Sequence, residues 1–293
     1  MNHSQRAIVK VSACGIFKDP NFKSEMVNQV LMWEEVIVTD SRNDWFKIKL
    51  VNDSYIGWIH KMYLTFDNYV LGILDNCQMV GINYDQMNIY WAYPYFIHNV
   101  GAVRHVIPLS LGQKLPCTNY NSFIKNQNTG AIIKFFFNND LIDITLYGSD
   151  CVLVNQILAE SEISGIAECL KGYPYLWGGR SYQGYDCSGF IQSVFNLSEY
   201  KMPRDTKDQI NANFLEEIKL EEAYPGCLLF FGSKKTVNHV AIVGDSFHVE
   251  CDSSSDEYND SIIHASGSIC EVSLEESGLK SNLIKVMKIK EDA

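Results

Sequence analysis

Apolar and polar residues alternate in short runs along the first part of the chain. These runs lie at residues 7–11, 34–38, 45–50 and 55–59, with clusters of Asn, Asp and Ser between them. Alternation with a period of two residues, bounded by turn-forming residues, predicts β-strands. Several short strands at this spacing predict a small β-barrel domain over residues 1–66.

A second segment, residues 67–150, continues the pattern less regularly. Residues 88–96 are rich in aromatic side chains, and residues 130–137 are a mainly apolar run that predicts a strand. We therefore predict a second small β domain. We interpret its aromatic side chains as core residues, and a ligand-binding platform is the alternative interpretation.

From about residue 150 the apolar spacing becomes helical. Val152 and Leu170 belong to this pattern, and Gly172 ends it. Another helix is predicted to begin within residues 204–215. Strand-like apolar runs follow at residues 225–231, 238–243 and 261–266. An α+β fold, with helices on one face of an antiparallel sheet, is the expected architecture of residues 151–293.

Candidate chemistry is concentrated in residues 175–195. A glycine-rich loop there, in which we interpret Arg180 as a solvated charge, leads into a run with helical spacing that begins near Asp186 or Cys187. Asp186 and Ser188 are residue types favoured at helix starts. We expect the thiol of Cys187 to lie at a helix N-terminus, which lowers a cysteine pKa. Burial as a small apolar residue is the alternative for a free cysteine.

Two histidines follow on predicted strands. His239 stands near the start of one strand and His264 lies within the next. A cysteine at a helix start that faces two histidines suits nucleophilic catalysis, because one imidazole takes the thiol proton and the second orients it. His248 competes with His264 for the second position.

The same residues resemble the NlpC/P60 family of cysteine peptidases. The resemblance covers about residues 155–290. Its motifs, in chain order, are Pro174-Tyr-Leu-Trp-Gly-Gly179, Asp186-Cys-Ser-Gly189, Met202-Pro-Arg-Asp-Thr206 with Gln209, Gly226-Cys-Leu-Leu-Phe-Phe231, Asn238-His-Val-Ala-Ile-Val243 and Ile263-His-Ala-Ser266. This resemblance implies a papain-like catalytic domain.

The resemblance also implies a role for each residue of the site. Cys187 is the expected nucleophile, His239 the base and His264 the orienting third member, with Tyr175 supporting the oxyanion. His264 is favoured over His248 because it carries the His-Ala-Ser match, although the polar tract before it lengthens the usual spacing. No metal or cofactor is expected.

The N-terminal segment resembles bacterial SH3-like domains. Asp44-Trp-Phe-Lys-Ile48 and Ser54-Tyr-Ile-Gly-Trp-Ile59 carry this likeness, with Ser54 where a glycine is usual. The resemblance implies an SH3-like domain over residues 1–66, and we expect a second one over residues 67–150. The whole sequence is similar to the family subgroup in which such domains precede the peptidase domain and close one end of its cleft.

In that subgroup, the resemblance implies that the bond between γ-D-glutamate and an L-diamino acid (diaminopimelate or lysine) is cut. A free N-terminal L-alanine amine is expected to bind beside it. The residues implied for substrate binding are Asp186, Ser188, Arg204 and Thr206, together with Glu34 and Tyr55 of the first domain. An equal alternative is that Glu34 and Tyr55 are ordinary exposed strand residues with no part in substrate binding.

The composition of the chain bears on its binding partners and on its cellular compartment. The net charge of −11 argues against nucleic-acid binding, which needs clustered basic residues. Neither a signal-peptide core nor an apolar run of about 18 residues occurs. The nine cysteines include no Cys-x-x-Cys pair, which suits a reducing compartment. We expect a cytoplasmic, monomeric protein without membrane partners.

These observations predict a cysteine endopeptidase that acts on cell-wall muropeptides in peptidoglycan recycling or turnover. Two alternatives stay open at this point. The chain could be a wall-binding protein with an inactive peptidase fold. The same thiol could also serve acyl transfer or the hydrolysis of another amide.

Overall fold

The structure is a computed structural model that describes residues 5–82, 95–100, 103–126, 130–146, 151–153, 160–233, 236–245 and 260–290. The chain divides into two units, Met1–Gln156 and Ile157–Ala293. The domain boundaries at residues 66 and 150 stay predictions.

A seven-stranded antiparallel sheet opens the first unit. Its strands are β1 (Gln5–Val9), β2 (Ala13–Phe17), β3 (Met26–Leu31), β4 (Glu35–Arg42), β5 (Trp45–Leu50), β6 (Ile56–His60) and β7 (Leu64–Thr65), in the order β3-β2-β6-β5-β4-β1-β7. Alternate residues such as Ala7, Val9 and Ile48 are fully buried in its core. Each of the four predicted apolar runs overlaps a strand, whereas β2, β3 and β7 were not predicted.

A second sheet in this unit is also antiparallel. In chain order, helix α1 (Asn68–Asn76) precedes its strands, and α2 (Tyr120–Lys125) lies between its second and third strands. Its strands are β8 (Gln78–Ile82), β11 (Lys114–Cys117), β12 (Ala131–Phe137), β13 (Asp140–Leu146) and β14 (Cys151–Leu153), and β9 (Tyr95–Val100) pairs with β10 (Val103–Pro108) as a separate hairpin. The strand predicted at residues 130–137 is confirmed as β12. Residues 88–94 of the aromatic segment lie outside the described residues.

Val152 corrects one prediction. The helical spacing assigned to it does not form a helix, because Val152 lies in β14 and pairs with Gly81 of β8. Within the described residues, the predicted helix covers Glu160–Glu168. An apolar run of three residues fits a short strand as well as it fits one helical turn, and here the edge of β8 decides the outcome.

Trp33 ties the first sheet to β12 within the first unit. The side chain is 2% exposed, and its indole N–H donates to the carbonyl oxygen of Lys134 at 2.8 Å. Its ring lies 5.1 Å from that of Phe136. A buried tryptophan combines a large apolar area with one polar group that must be satisfied, and this contact provides both.

Replacing Trp33 by Ala should therefore lower the free energy of unfolding by about 3–5 kcal/mol, because a large cavity opens beside Phe136. Calorimetric unfolding of the full chain measures the effect. Tyr69→Ala is the matched control, since that ring is 67% exposed and its loss should cost less than about 0.5 kcal/mol. Equal free energies of unfolding for the Trp33 variant and the native chain would contradict the packing described.

The second unit places helices against a six-stranded antiparallel sheet. Its helices are α3 (Glu160–Glu168), α4 (Cys187–Phe195) and α5 (Thr206–Gln209). Its sheet has the order β17-β22-β18-β19-β20-β21, formed by β17 (Leu215–Ile218), β18 (Leu228–Ser233), β19 (Thr236–Val243), β20 (Ser261–Ser266), β21 (Ser268–Ser273) and β22 (Leu283–Ile289), while β15 (Arg180–Ser181) and β16 (Gly184–Tyr185) form a small hairpin.

Most of this unit agrees with the α+β expectation, and its three predicted apolar runs overlap β18, β19 and β20. The helix predicted within residues 204–215 is shorter than that segment. It begins at Thr206 but ends at Gln209, and Leu215 already belongs to β17. Helix α4 is buried along its whole length, so its position is set by packing on all sides.

Candidate active site

Cys187 is the first residue of α4, as the sequence predicts. Asp186 is the N-cap, and its Oδ1 accepts a hydrogen bond from the backbone N–H of Gly189 at 2.7 Å. This contact satisfies one of the N–H groups that a helix start leaves without an internal partner. The cap therefore fixes the residue at which the helix begins and, with it, the direction of the thiol.

Two glycines let the preceding loop approach this helix closely. A Cβ atom at Gly189 would lie 2.1 Å from the carbonyl oxygen of Gly179, and one at Gly179 would lie 2.4 Å from that of Gly184. Side chains at these positions would push the loop away from α4. Arg180 follows in β15 and is 1% exposed, so its interpretation as a solvated loop charge is wrong.

The thiol of Cys187 lies against the edge of β19. Its Sγ is 4.0 Å from the carbonyl oxygen of Asn238 and 3.9 Å from Oγ1 of Thr206. Strand β20 pairs with β19 at Ile242 and Val243, beyond the point where the thiol lies. The first half of this edge therefore faces the helix start, and the thiol is placed beside the backbone that carries His239.

The pKa of the Cys187 thiol is raised, contrary to the expectation from its place at a helix N-terminus. Burial is the largest cause, and the carboxylate of Asp186 adds to it. The hydroxyl of Thr206 and the backbone N–H groups of Ser188 and Val240 act in the opposite direction. Loss of hydration thus outweighs the helix dipole, and the resting thiol is protonated near neutral pH.

The rings of His239 and His264 form a direct hydrogen bond to each other. Nε2 of His239 lies 2.9 Å from Nδ1 of His264, and the two rings are nearly perpendicular at 84°. Burial, with the second imidazole as a smaller cause, lowers the pKa of His239 to about 4. Burial also lowers the pKa of His264. Both rings are therefore neutral near pH 7, and the hydrogen bond to His264 uses Nε2 of His239 and not its Nδ1.

Tyr175 borders the same site. Burial raises the pKa of its phenol to about 12, and the charges of Cys187 and Asp186 add to this effect. Both groups act on the phenol because they lie near it. The phenol therefore keeps its proton and can donate a hydrogen bond.

Asp186, Ser188 and Arg204 form one hydrogen-bonded cluster. The guanidinium of Arg204 donates to Oδ1 and Oδ2 of Asp186 at 3.0 and 2.6 Å, and to Oγ of Ser188 at 2.8 Å. Asp186 also accepts from the backbone N–H of Gly178 at 2.9 Å and from the hydroxyl of Ser188 at 3.3 Å. With the cap to Gly189, both carboxylate oxygens are occupied from inside the protein.

Gln209 belongs to the site although the sequence assigned it no role. Its Nε2 donates to the carbonyl oxygens of Ser188 and Pro203 at 2.9 and 2.8 Å, and the side chain is fully buried. It therefore ties the first turn of α4 to the segment that precedes α5. Its place shortly after the Pro-Arg-Asp-Thr motif, which it accompanies in the family resemblance, was the available signal.

The structure brings together eight of the ten expected site residues, all in the second unit: Cys187, His239, His264, Tyr175, Asp186, Ser188, Arg204 and Thr206. Glu34 and Tyr55 belong to the first unit, where Glu34 accepts from the N–H of Leu31 at 2.8 Å and the hydroxyl of Tyr55 donates to the carbonyl of Val27 at 3.1 Å. Their part in substrate binding stays a prediction. His248 lies outside the described residues.

The described ranges contain no group of three or more His, Cys, Asp and Glu residues that could hold a metal ion. No helix within those same ranges is both long and apolar enough to cross a membrane.

Family models match two parts of the chain. Residues 172–288 match the NlpC/P60 family, and residues 16–64 match the bacterial dipeptidyl-peptidase Sh3 domain. The first match covers all eight residues that the structure brings together, and the second covers most of the first sheet. The SH3-like nature of the second sheet stays a prediction.

Curated relatives extend the likeness across both units. The chain is 28% identical over 225 residues to a γ-D-glutamyl-L-lysine dipeptidyl-peptidase of Bacillus subtilis, covering 73% of this chain and 68% of the relative. It is 24% identical over 238 residues to the Bacillus cereus protein of the same name, covering 76% and 66%. A solved NlpC/P60 family protein from Bacillus cereus shares the fold, with a TM-score of 0.74, 19% identity and coverage of 96% and 98%.

Alkylation of Cys187 should rise with pH through values above about 8.5, because its pKa is raised from the ordinary range. The measurement is the rate of iodoacetamide labelling of the Cys187 peptide by mass spectrometry. Thr206→Val should shift the profile further upward, since a hydroxyl that stabilises the thiolate is lost, and Thr206→Ser should not. A plateau already reached at about pH 6 would show a resting thiolate and contradict this environment.

Proposed function

Because the chain is a cysteine peptidase of the NlpC/P60 family, we propose that it hydrolyses the bond between γ-D-glutamate and the L-diamino acid of cell-wall peptides. The observation that carries this proposal is the thiol of Cys187 placed beside the strand of His239, whose ring is bonded to His264. Two relatives named for γ-D-glutamyl-L-lysine support the choice of bond.

The reaction begins from a neutral thiol and a neutral imidazole. Sγ of Cys187 attacks the γ-carbonyl carbon while Nδ1 of His239 takes the thiol proton. For Nδ1 to accept that proton, the ring proton of His239 must be on Nε2, which donates to Nδ1 of His264. The second histidine thus selects the reactive tautomer and stabilises the imidazolium that forms.

The tetrahedral oxyanion then needs hydrogen-bond donors. The backbone N–H of Cys187, at the start of α4, is one candidate, since this end of a helix favours negative charge. The phenol of Tyr175 is the other. Its pKa of about 12 keeps it protonated, so it can donate throughout turnover.

Collapse of the intermediate returns the proton. The His239 imidazolium protonates the leaving amine of the diamino acid, and a thioester to Cys187 remains. Water, deprotonated by Nδ1 of His239, hydrolyses the thioester and regenerates the thiol. Nothing in this sequence of steps requires a metal ion.

The substrates are proposed to be small muropeptides that carry a free N-terminal L-alanine. The relatives' name, dipeptidyl-peptidase, supports this, because an enzyme that releases dipeptides must sense an amino terminus two residues ahead of the scissile bond. Glu34 and Tyr55 are the proposed contacts to that amine. Recycling of wall peptides by a cytoplasmic monomer is the setting we propose for this activity.

Cys187→Ala should abolish release of L-Ala-γ-D-Glu from L-Ala-γ-D-Glu-diaminopimelate, because the sulfur proposed to form the thioester is removed. Liquid chromatography with mass spectrometry detects the dipeptide. Cys169→Ala is the control, since the thiol of Cys169 donates a hydrogen bond to the carbonyl oxygen of Gly165 and lies outside the site. Undiminished turnover by the Cys187 variant would assign the nucleophile elsewhere.

N-acetylation of the substrate should lower kcat/KM by about a hundredfold or more, because the blocked amine can no longer pair with a carboxylate. The matched pair is the free and the acetylated L-Ala-γ-D-Glu-diaminopimelate, assayed with the native chain. Equal kcat/KM for the two peptides would refute recognition of a free amino terminus, while leaving the bond that is cut unchallenged.

A further inference from the structure

Arg204 is closed off from solvent by the cluster that it organises. Its side chain is 2% exposed, and it forms a two-pronged ion pair with Asp186 plus a hydrogen bond to Ser188. A guanidinium used in this way has its donors directed at the protein interior. A substrate carboxylate would have to displace Asp186 to reach it.

The carboxylate of Asp186 is also fully engaged in hydrogen bonds within the protein. Its carboxylate accepts from Arg204, Gly178, Gly189 and Ser188, and two oxygens offer only about four lone-pair sites. The geometry therefore argues against the substrate-binding role that the resemblance implies for Arg204.

We infer that Arg204 is a positioning residue that acts on Cys187 through Asp186 and Ser188, and that it does not contact the substrate. These two residues flank the nucleophile in the chain, so one guanidinium holds both sides of Cys187 at once. It also compensates the carboxylate whose charge opposes ionisation of the thiol. The cluster thereby keeps the thiol against the edge of β19.

The thiol's surroundings show what this position provides. The hydroxyl of Thr206 and the backbone N–H groups of Ser188 and Val240 all favour the thiolate. The charged or titratable groups around it are Asp186 and Arg204 from the helix start, Tyr175 from the loop, and His239 and His264 from β19 and β20. A shift of the helix start would remove the thiol from its three donors and leave Asp186 uncompensated.

This inference requires Cys187 to be the nucleophile but does not depend on which peptide bond is cut. Its test can therefore use a small neutral alkylating agent that needs no turnover. Failure of the inference and failure of the proposed function then give different results.

Arg204→Met should slow iodoacetamide labelling of Cys187 at constant pH by about tenfold, because the uncompensated carboxylate of Asp186 raises the pKa of the thiol further. In the same variant kcat should fall while KM stays unchanged. Adding Asp186→Asn should restore part of the labelling rate, because the uncompensated charge is removed and Asn still caps the helix. Lys207→Met is the control, since that lysine is exposed on α5 and pairs with Asp205.

Arg204→Lys covers the case in which the Met variant does not fold. Lysine keeps the charge but loses the planar fork that holds both oxygens of Asp186, so its labelling rate should be intermediate. Native labelling rates in folded Arg204→Met or Arg204→Lys would overturn the inference. So would a raised KM with an unchanged labelling rate, because it would show that Arg204 contacts the substrate.

Discussion

The hydrogen bond between Nε2 of His239 and Nδ1 of His264 is the interaction on which the chemistry proposed for this site depends. It decides which nitrogen of the first ring is left for the thiol, because a histidine bonded through Nε2 has only Nδ1 to offer. It also removes the freedom of a ring that must otherwise rotate into position. The sheet provides this bond by placing the two histidines on adjacent strands, β19 and β20.

Burial makes this site different from one that holds a preformed ion pair. It raises the pKa of the Cys187 thiol and lowers that of His239, so both changes favour the neutral pair at rest. In the proposed reaction, charge separates only during attack, when the proposed oxyanion donors and the second imidazole are already in place. Such a site exposes no reactive thiolate before a substrate arrives, and the donors proposed to stabilise the transition state need not reorganise.

The sequence predicted the features that local pattern controls. The helix start at Cys187 follows from a capping aspartate and helical spacing, and the strands of His239 and His264 follow from apolar runs. Predictions failed where tertiary surroundings decide. Val152 joins β8 rather than a helix, α5 ends at Gln209, and Arg180 is buried. The thiol pKa was misjudged because desolvation depends on the complete packing around α4, which motif spacing does not contain.

The most direct measurement is the protonation state of His239 in the resting enzyme, read from the nitrogen chemical shifts of ¹⁵N-labelled imidazole near pH 7. His239→Gln identifies its signals. A neutral ring that carries its proton on Nε2 is the predicted result, because that tautomer donates to His264 and leaves Nδ1 for the thiol. An imidazolium protonated on both nitrogens would show that the proton has already left Cys187 and would contradict a neutral resting pair.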